Sequence, residues 1–228
     1  MKVVALIPAR AGSKRLPGKN KRLLAGRSLV EWSILCAEKT GVFSDILVST
    51  DDNFIADIAS NLGYRVPNLR PPILSTDTAS SAEMAIYELD KYEKKEGPVD
   101  ILVLLQPTSP FRKASTIIGA INLMHSTNAD SVISVDSSLS KGSLYFYEDA
   151  KDIMPVFGWD FYSSNEKSIL RLNGGVFLVK PQALRKHKTF VFPGFKPFVI
   201  EDPIESLDID TQSDWDIALS LADDFLNE

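Results

Sequence analysis

Four cationic side chains, Arg10, Lys14, Arg15 and Lys19, fall within ten residues of one another in the segment Ile7-Pro8-Ala9-Arg10-Ala11-Gly12-Ser13-Lys14-Arg15-Leu16-Pro17-Gly18-Lys19-Asn20. Glycines interleave with them, and a residue without a Cβ lets the backbone approach a bound group closely. The chain as a whole is acidic, with a net charge of −5, so this cluster is local and suits a polyanion such as a run of phosphates. A solvated basic turn would have the same composition. What distinguishes the loop is its position directly after the apolar run Val3 to Ile7, because open α/β sheets bind ligands at the carboxyl ends of their strands. The spacing departs from a P-loop, since five residues rather than four separate Gly12 from Gly18 and Asn20 follows the lysine where serine or threonine belongs. The G-x-G-x-x-G dinucleotide fingerprint is also missing, which leaves a nucleotide loop of another type.

Near the other end, Asp208 and Asp210 flank Ile209. In an extended segment, alternation would send both carboxylates to one face. Such a pair suits Mg²⁺, which takes few protein carboxylates and shares its coordination with phosphates. The competing reading is structural: both acids precede the helix that contains Trp215, and Asp210 stands close to a cap position. Cys36 is the single cysteine, so no disulfide framework or cysteine metal site can be built from this chain, and a reducing cytoplasm fits. His125 and His187 lie outside the motifs, which leaves thiol or Ser/His nucleophile chemistry without support.

The elements that must position these groups are legible as short apolar runs, Val3 to Ile7, Ile46 to Val48, Ile101 to Leu105 and Val132 to Val135, alternating with amphipathic segments. Continuous hydrophobicity predicts strands buried on both faces, hence a mostly parallel central sheet flanked by helices. Ser28 with Glu31 and Ser80 with Glu83 read as capping boxes, Asp51 as a cap of a helix ending near Gly63, and Thr211 as the start of a last amphipathic helix. A crossover helix is expected over Ser115 to Met124, and a strand from Gly175 to Val179. With 228 residues, 44% of them hydrophobic, one α/β domain over 1–228 is expected. From Asp136 to Arg171 the pattern breaks into scattered aromatics, read as an excursion that serves a subunit interface, contributes to the acceptor site or covers the chain's own core. No stretch approaches the ~20 apolar residues of a membrane span, and the acidic balance argues against nucleic acid as a partner.

With these motifs in order, the chain resembles the acylneuraminate cytidylyltransferases, the CMP-sialic acid or CMP-nonulosonic acid synthetase family. The resemblance rests on IPAR followed by GSKRLP and KN; on Leu69-Arg70-Pro71 with Ser75-Thr76-Asp77-Thr78-Ala79-Ser80-Ser81; on Leu105-Gln106-Pro107-Thr108-Ser109-Pro110 followed by Arg112; on Arg171-Leu172-Asn173-Gly174-Gly175; and on Asp208-Ile209-Asp210-Thr211. It implies a Rossmann-like nucleotidyltransferase fold, CTP as co-substrate, an Mg²⁺ ion on Asp208 and Asp210, and a homodimer. It also implies that Arg10, Ser13, Lys14 and Lys19, with Asn20 nearby, meet the triphosphate, and that Arg10, Lys19 and the two aspartates are the catalytic set. Arg70, Ser80 and Ser81 would meet the cytidine, with Ser80 competing as a helix cap; Gln106, Arg171 and Asn173 would meet the acceptor.

The implied reaction is attack by the anomeric hydroxyl of an acidic 2-keto sugar on the α-phosphate of CTP. An arginine-glutamine pair common in the family before the RxNG segment is missing, as Tyr162-Ser163-Ser164-Asn165 stands there. The acceptor is therefore open among N-acetylneuraminic, legionaminic and pseudaminic acids. The Kdo cytidylyltransferases share an RLPGK-like loop, which Arg15 to Lys19 fits, but lack the QPTSP and DTASS segments. A P-loop-like phosphotransferase and a catalytically silent nucleotide-binding protein are the more distant alternatives.

Overall fold

The computed structural model describes residues 1–64, 66, 68–137, 146–149, 152–155 and 170–225, with the side chains of 146–155 excepted. The chain runs β1 (Val3–Pro8), β2 (Leu23–Leu24), β3 (Arg27–Ser28), α1 (Leu29–Thr40), β4 (Asp45–Ser49), α2 (Asn53–Asn61), α3 (Ser81–Glu96), β5 (Ile101–Leu104), α4 (Ala114–Thr127), β6 (Ser131–Asp136), β7 (Phe146–Asp149), β8 (Asp152–Pro155), β9 (Arg171–Val179), α5 (Pro181–His187), β10 (Lys196–Val199) and α6 (Gln212–Phe225). Six strands form one sheet in the order β10-β6-β9-β5-β1-β4. Strand β1 is parallel to β4 and β5, β10 is parallel to β6, and β9 alone runs antiparallel between β5 and β6. The mostly parallel sheet expected from the apolar runs is thus present.

Burial follows from the strand sequences. Val3, Ala5 and Ile7 of β1 face one side, with Val30 and Ile34 of α1, Ile55 of α2, and Ile117 and Ile121 of α4. Val4 and Leu6 face the other, against Met84, Ala85 and Leu89 of α3 and Leu184 of α5. Each fully buried aliphatic side chain contributes about 1.5–3 kcal/mol, so both faces of β1 are committed and its carboxyl end is fixed.

A third cluster positions the site. Leu16 of the basic loop, Leu24, Leu29, Phe111, Ile209 and the α6 residues Trp215, Ala218 and Ala222 pack together. Segments nearly 200 residues apart in sequence are therefore held together by apolar contact, and the cationic loop meets the acidic pair because Leu16 and Ile209 share one core.

Several local expectations hold and others need correction. Ser28 and Glu31 form the full reciprocal capping box of α1. Ser80 caps α3 by accepting from the Ala82 amide, with no reciprocal bond from Glu83 among those found. The cap of α2 is Asp52, which accepts from Phe54 N at 2.9 Å, while Asp51 instead accepts from Ala11 N at 2.8 Å. Asp51 is diverted because the basic loop passes over it. Most of the excursion from Asp136 to Arg171, including Tyr145, Phe157, Trp159, Phe161 and Tyr162, lies outside the described residues. Its described backbone is the two-stranded antiparallel pair β7 and β8, separate from the main sheet. Among the described residues no helix is long and apolar enough to cross a membrane.

Candidate active site

The basic loop leaves the sheet under restraint. Ala9 N donates to Ser49 O at 2.9 Å, extending the β1 and β4 pairing by one step, and Ala11 N is held by Asp51. Gly18 adopts φ +66°, a left-handed turn that glycine enters without strain. Asn20 is buried and its Nδ2 donates to Arg10 O at 3.0 Å. The amide expected near the phosphates is thus taken up in shaping the loop, although Asn20 still lines its floor.

The cations of this loop enter a cleft of about 310 Å³. Of the residues singled out from sequence, Arg10, Ser13, Lys14, Lys19, Asn20, Arg70, Ser80, Ser81, Gln106 and Asp210 line it. Two carboxylates hold the cations. Asp77 pairs with Arg10 at 2.9 Å and with Lys14 at 2.6 Å, and Asp210 pairs with Arg15 at 2.7 Å and with Lys19 at 2.8 Å. Lys14 is 81% exposed and Lys19 only 12%. Exposed pairs are weak and screened, so Lys14 exchanges partners readily, whereas the field of Lys19 acts in a less polarisable setting. Hydrogen bonding to Lys14, then Arg10, holds the Asp77 carboxyl below its ordinary value. Sequence reading passed over Asp77, whose only signal was an acid inside the serine and threonine run; Arg15, noted as a cation but given no role, turns out to be its counterpart on Asp210.

On the cytidine side expected from sequence, Arg70 is buried. Its Nε donates to Ser49 Oγ at 2.9 Å, and Ser49 Oγ in turn donates to Glu88 at 2.8 Å. Burial lowers the Arg70 pKa, and the charges of Asp51 and Glu88 oppose that shift. Ser80 is both wall and helix cap, and Ser81 opens α3 beside it.

The opposite wall is built differently. Gly174 adopts φ +75°, and a Cβ there would lie 2.8 Å from Gln106 Oε1 and 3.6 Å from Asp208 Cγ. The left-handed backbone favours glycine here, and a Cβ would displace the end of the Gln106 side chain while meeting Asp208 at ordinary contact distance. Asn173 is buried: its Oδ1 accepts from Ser134 Oγ at 2.6 Å and from Gly175 N at 3.2 Å, and its Nδ2 donates to Ser206 Oγ at 3.4 Å. These bonds engage it inside the fold, beneath the wall rather than on it. Arg171 pairs with Asp136 at 3.0 Å across the β6 and β9 register and does not line the cleft.

Residues 207–210 form no strand, so the expected alternation is not what orients the acidic pair. Ile209 is fully buried and its N–H donates to Thr108 O at 2.8 Å, which anchors the segment and leaves the flanking carboxylates off that apolar contact. Neither is the cap of α6. Asp214 accepts from Asp210 N, Thr211 N and Thr211 Oγ1 at 3.0, 2.7 and 2.8 Å, and Thr211 Oγ1 accepts from Asp214 N at 3.3 Å. Asp208 Oδ1 is buried without a hydrogen-bond partner. Burial pushes the Asp208 pKa up; a hydrogen bond from Thr108 and the charge of Lys19 oppose this, and Asp210 and Asp214 reinforce it.

Chemically, the cleft offers fixed cations, one of them sheltered, next to a carboxylate pair with a free acceptor atom. That arrangement stabilises charge developing on a phosphoryl group.

A family profile described as Cytidylyltransferase matches residues 4–154. The chain is 40% identical over 218 residues to a CMP-N,N'-diacetyllegionaminic acid synthase of Legionella pneumophila, covering 94% of each protein. It is 34% identical over 223 residues to an N-acylneuraminate cytidylyltransferase of Escherichia coli, covering 96% of this chain and 52% of that protein, so it spans about half of that relative's length. Among solved structures, a CMP:2-keto-3-deoxy-manno-octonic acid synthetase complexed with CTP superposes with a TM-score of 0.73 at 16% identity, covering 98% of this chain and 99% of the other, which is a likeness of fold. The cationic loop, the paired aspartates and these matches agree: the chain belongs to the cytidylyltransferase family and is a CTP-dependent nucleotidyltransferase.

Proposed function

We propose that this enzyme transfers CMP from CTP to the anomeric hydroxyl of a nonulosonic acid and releases pyrophosphate. The observation that carries the reading is a cleft in which Lys19 touches Asp210 and which Gln106 also lines, with Gly174 and Asp208 beside Gln106 but outside the lining. The acceptor oxygen forms a bond to the α-phosphorus as the bond to the bridging oxygen breaks, and the pyrophosphate departs with that electron pair. Arg10 and Lys14 leave Asp77 for the β- and γ-phosphates, and Lys19 meets charge growing at the reacting phosphate. Fixed cations stabilise that charge more than they stabilise bound CTP, which raises turnover. Arg70, Ser80 and Ser81 hold the cytidine, and Gln106 orients the acceptor. Asn20 and Asn173 act by shaping the loop and the wall.

Mg²⁺ fits the acidic pair. Asp208 Oδ1 is a buried acceptor with no partner, Asp210 lies at the cleft, and an ion of this kind needs only one or two carboxylates when phosphates complete its shell. Bound there, it supplies charge neutralisation at the phosphates and acidifies a hydroxyl.

The acceptor class follows from kinship with the diacetyllegionaminic acid synthase along nearly the full chain. Kdo is the weaker reading, because the DTASS and QPTSP segments absent from that group contribute Asp77, Ser80, Ser81, Gln106 and Thr108 to this cleft. We also take 1–228 as one catalytic domain acting in the cytoplasm as a homodimer, with the aromatic excursion at the subunit contact; sedimentation as monomer only at micromolar concentration contradicts the dimer. The test of the reaction is pyrophosphate release with each of the four nucleoside triphosphates, with and without Mg²⁺, across a panel of nonulosonic acids and Kdo. Release with CTP alone, dependent on metal and a nonulosonic acid, is expected; equal release with ATP, or with Kdo in preference, overturns the proposal.

A further inference from the structure

Arg112 is almost fully buried, at 4% exposure, yet only one of its guanidinium nitrogens has partners. Its Nη2 donates to Gln106 O at 2.6 Å, to Ser109 O at 3.2 Å and to Ser33 Oγ at 3.5 Å, while Nε and Nη1 find no acceptor. Burying a cation with so few hydrogen bonds is costly, and the nearby charges of Glu205 and Asp208 offset only part of that cost. Departures of this kind from local consistency concentrate where function demands them.

The partners say what that demand is. The two carbonyls are the ends of the Gln106–Ser109 turn, itself closed by Ser109 N donating to Gln106 O at 3.3 Å. Within that turn, Thr108 O accepts from Ile209 N, the amide between the two aspartates. The turn's first residue carries the side chain that lies against Gly174. At its other end Arg112 is tied to α1, through Ser33 and through the Cys36 thiol, which donates to Arg112 O at 3.1 Å.

We propose that Arg112 is a positioning residue, a staple from α1 that fixes the Gln106–Ser109 turn and through it registers both the Gln106 side chain and the Asp208–Asp210 segment. The inference rests on the acceptor-side reading given above. Arg112 touches none of the basic-loop residues assigned to the triphosphate, so its effect passes through Gln106 to the acceptor and through the Asp208–Asp210 segment to the metal.

The test is Arg112→Met in the full-length enzyme, read by thermal melting, by separate kinetics for CTP and acceptor, and by hydrogen-deuterium exchange. The expected result is a melting temperature below that of the parent, a raised Mg²⁺ requirement, and a fall in kcat/KM for the acceptor of about tenfold to a hundredfold, as slight misplacement produces, larger than any change in KM for CTP. Exchange rises in peptides covering 106–109 and 207–210 and stays as it was in 9–20. A gain in exchange confined to those two segments, with the acceptor losing more than CTP, is a result that a merely structural arginine does not give. Unchanged exchange in 207–210, or a parallel decline of stability and both substrate parameters, overturns the proposal. Should the variant not fold, replacing the Ile209 amide by an ester removes the donor to Thr108 without disturbing the core. The same acceptor-side loss is expected there, and normal acceptor kinetics sink the idea. If the parent enzyme transfers no CMP, the proposed function fails, while the exchange measurement still decides whether Arg112 holds the turn.

Discussion

The two walls of the cleft hold their charged and polar groups in opposite ways. On the loop side, Arg10, Lys14 and Arg15 sit in partly exposed ion pairs with Asp77 and Asp210, contacts that water screens and that phosphates can replace. On the far side, Gln106, Asn173, Ser134, Ser206 and Arg112 are knitted by hydrogen bonds, most of them buried, beside a glycine in a left-handed conformation. The difference teaches that one wall adapts its electrostatics to a flexible polyanion, while the other fixes a shape against which a sugar hydroxyl must be aimed. Lys19 belongs to neither extreme: it is charged like the first wall and sheltered like the second.

That contrast can be broken at four points. Lys19→Met should lower kcat by about 10²–10³, the loss typical for one preorganised charge-stabilising donor; circular dichroism and melting should stay those of the parent, and a wild-type kcat would remove Lys19 from the reaction. Gly174→Ala should cost about 1–2 kcal/mol in stability from the left-handed backbone. It should also lower kcat/KM for the acceptor through the contact with Gln106, leaving KM for CTP alone; a change confined to CTP would reverse the assignment of the walls. Asp77→Asn frees Arg10 and Lys14, so KM for CTP should fall a few-fold at low salt, with the gain fading as ionic strength rises; a rise in KM would mean that Asp77 organises the loop instead of competing with the triphosphate.

The smallest effect is expected at Asp214→Ala, where losing the carboxylate half of the reciprocal bonds between Thr211 and Asp214 at the start of α6 costs about 1 kcal/mol, or roughly 2–4 °C in Tm for a chain of this size. Although burial pushes the Asp214 carboxyl up, hydrogen bonds from Thr211 and Asp210 bring it below 3.8. A carboxyl lowered in the folded state stabilises above its unfolded pKa and loses that contribution as pH falls through the folded one. The Tm gap between parent and variant should therefore persist from neutral pH down to 3.8 and close below it.

The sheet and the loop were legible in the sequence because their signals are local. Val3 to Ile7 is apolar without a break, and the cations follow at once, so strand, loop and class of guest read off a single window. The Ser28 and Glu31 cap has the same character. What was misread depends on contacts across the chain. Asp51 and Asp52 are both competent caps, and only the arrival of Ala11 over Asp51 decides between them. Asp210 lines the cleft and Asp208 does not, and both are set by Ile209, which is drawn into a core with Leu16 and Trp215, rather than by the alternation of a strand. Asn20 and Asn173 have the chemistry of ligand contacts, yet buried backbone and hydroxyl groups need the same donors and acceptors, and those needs are met first. Asp77 and Arg112 stand within motifs, but neither type nor spacing gives their roles, since each matters through partners that the fold supplies.

The most direct test is a crystal structure of the enzyme with CTP and Mn²⁺ in place of Mg²⁺, read by anomalous scattering. The account predicts a metal peak bound by Asp208 and Asp210, with the triphosphate lying between that ion and Lys19 and with Arg10 and Lys14 released from Asp77. A metal peak remote from both aspartates, or a triphosphate beyond the reach of Lys19, would contradict it.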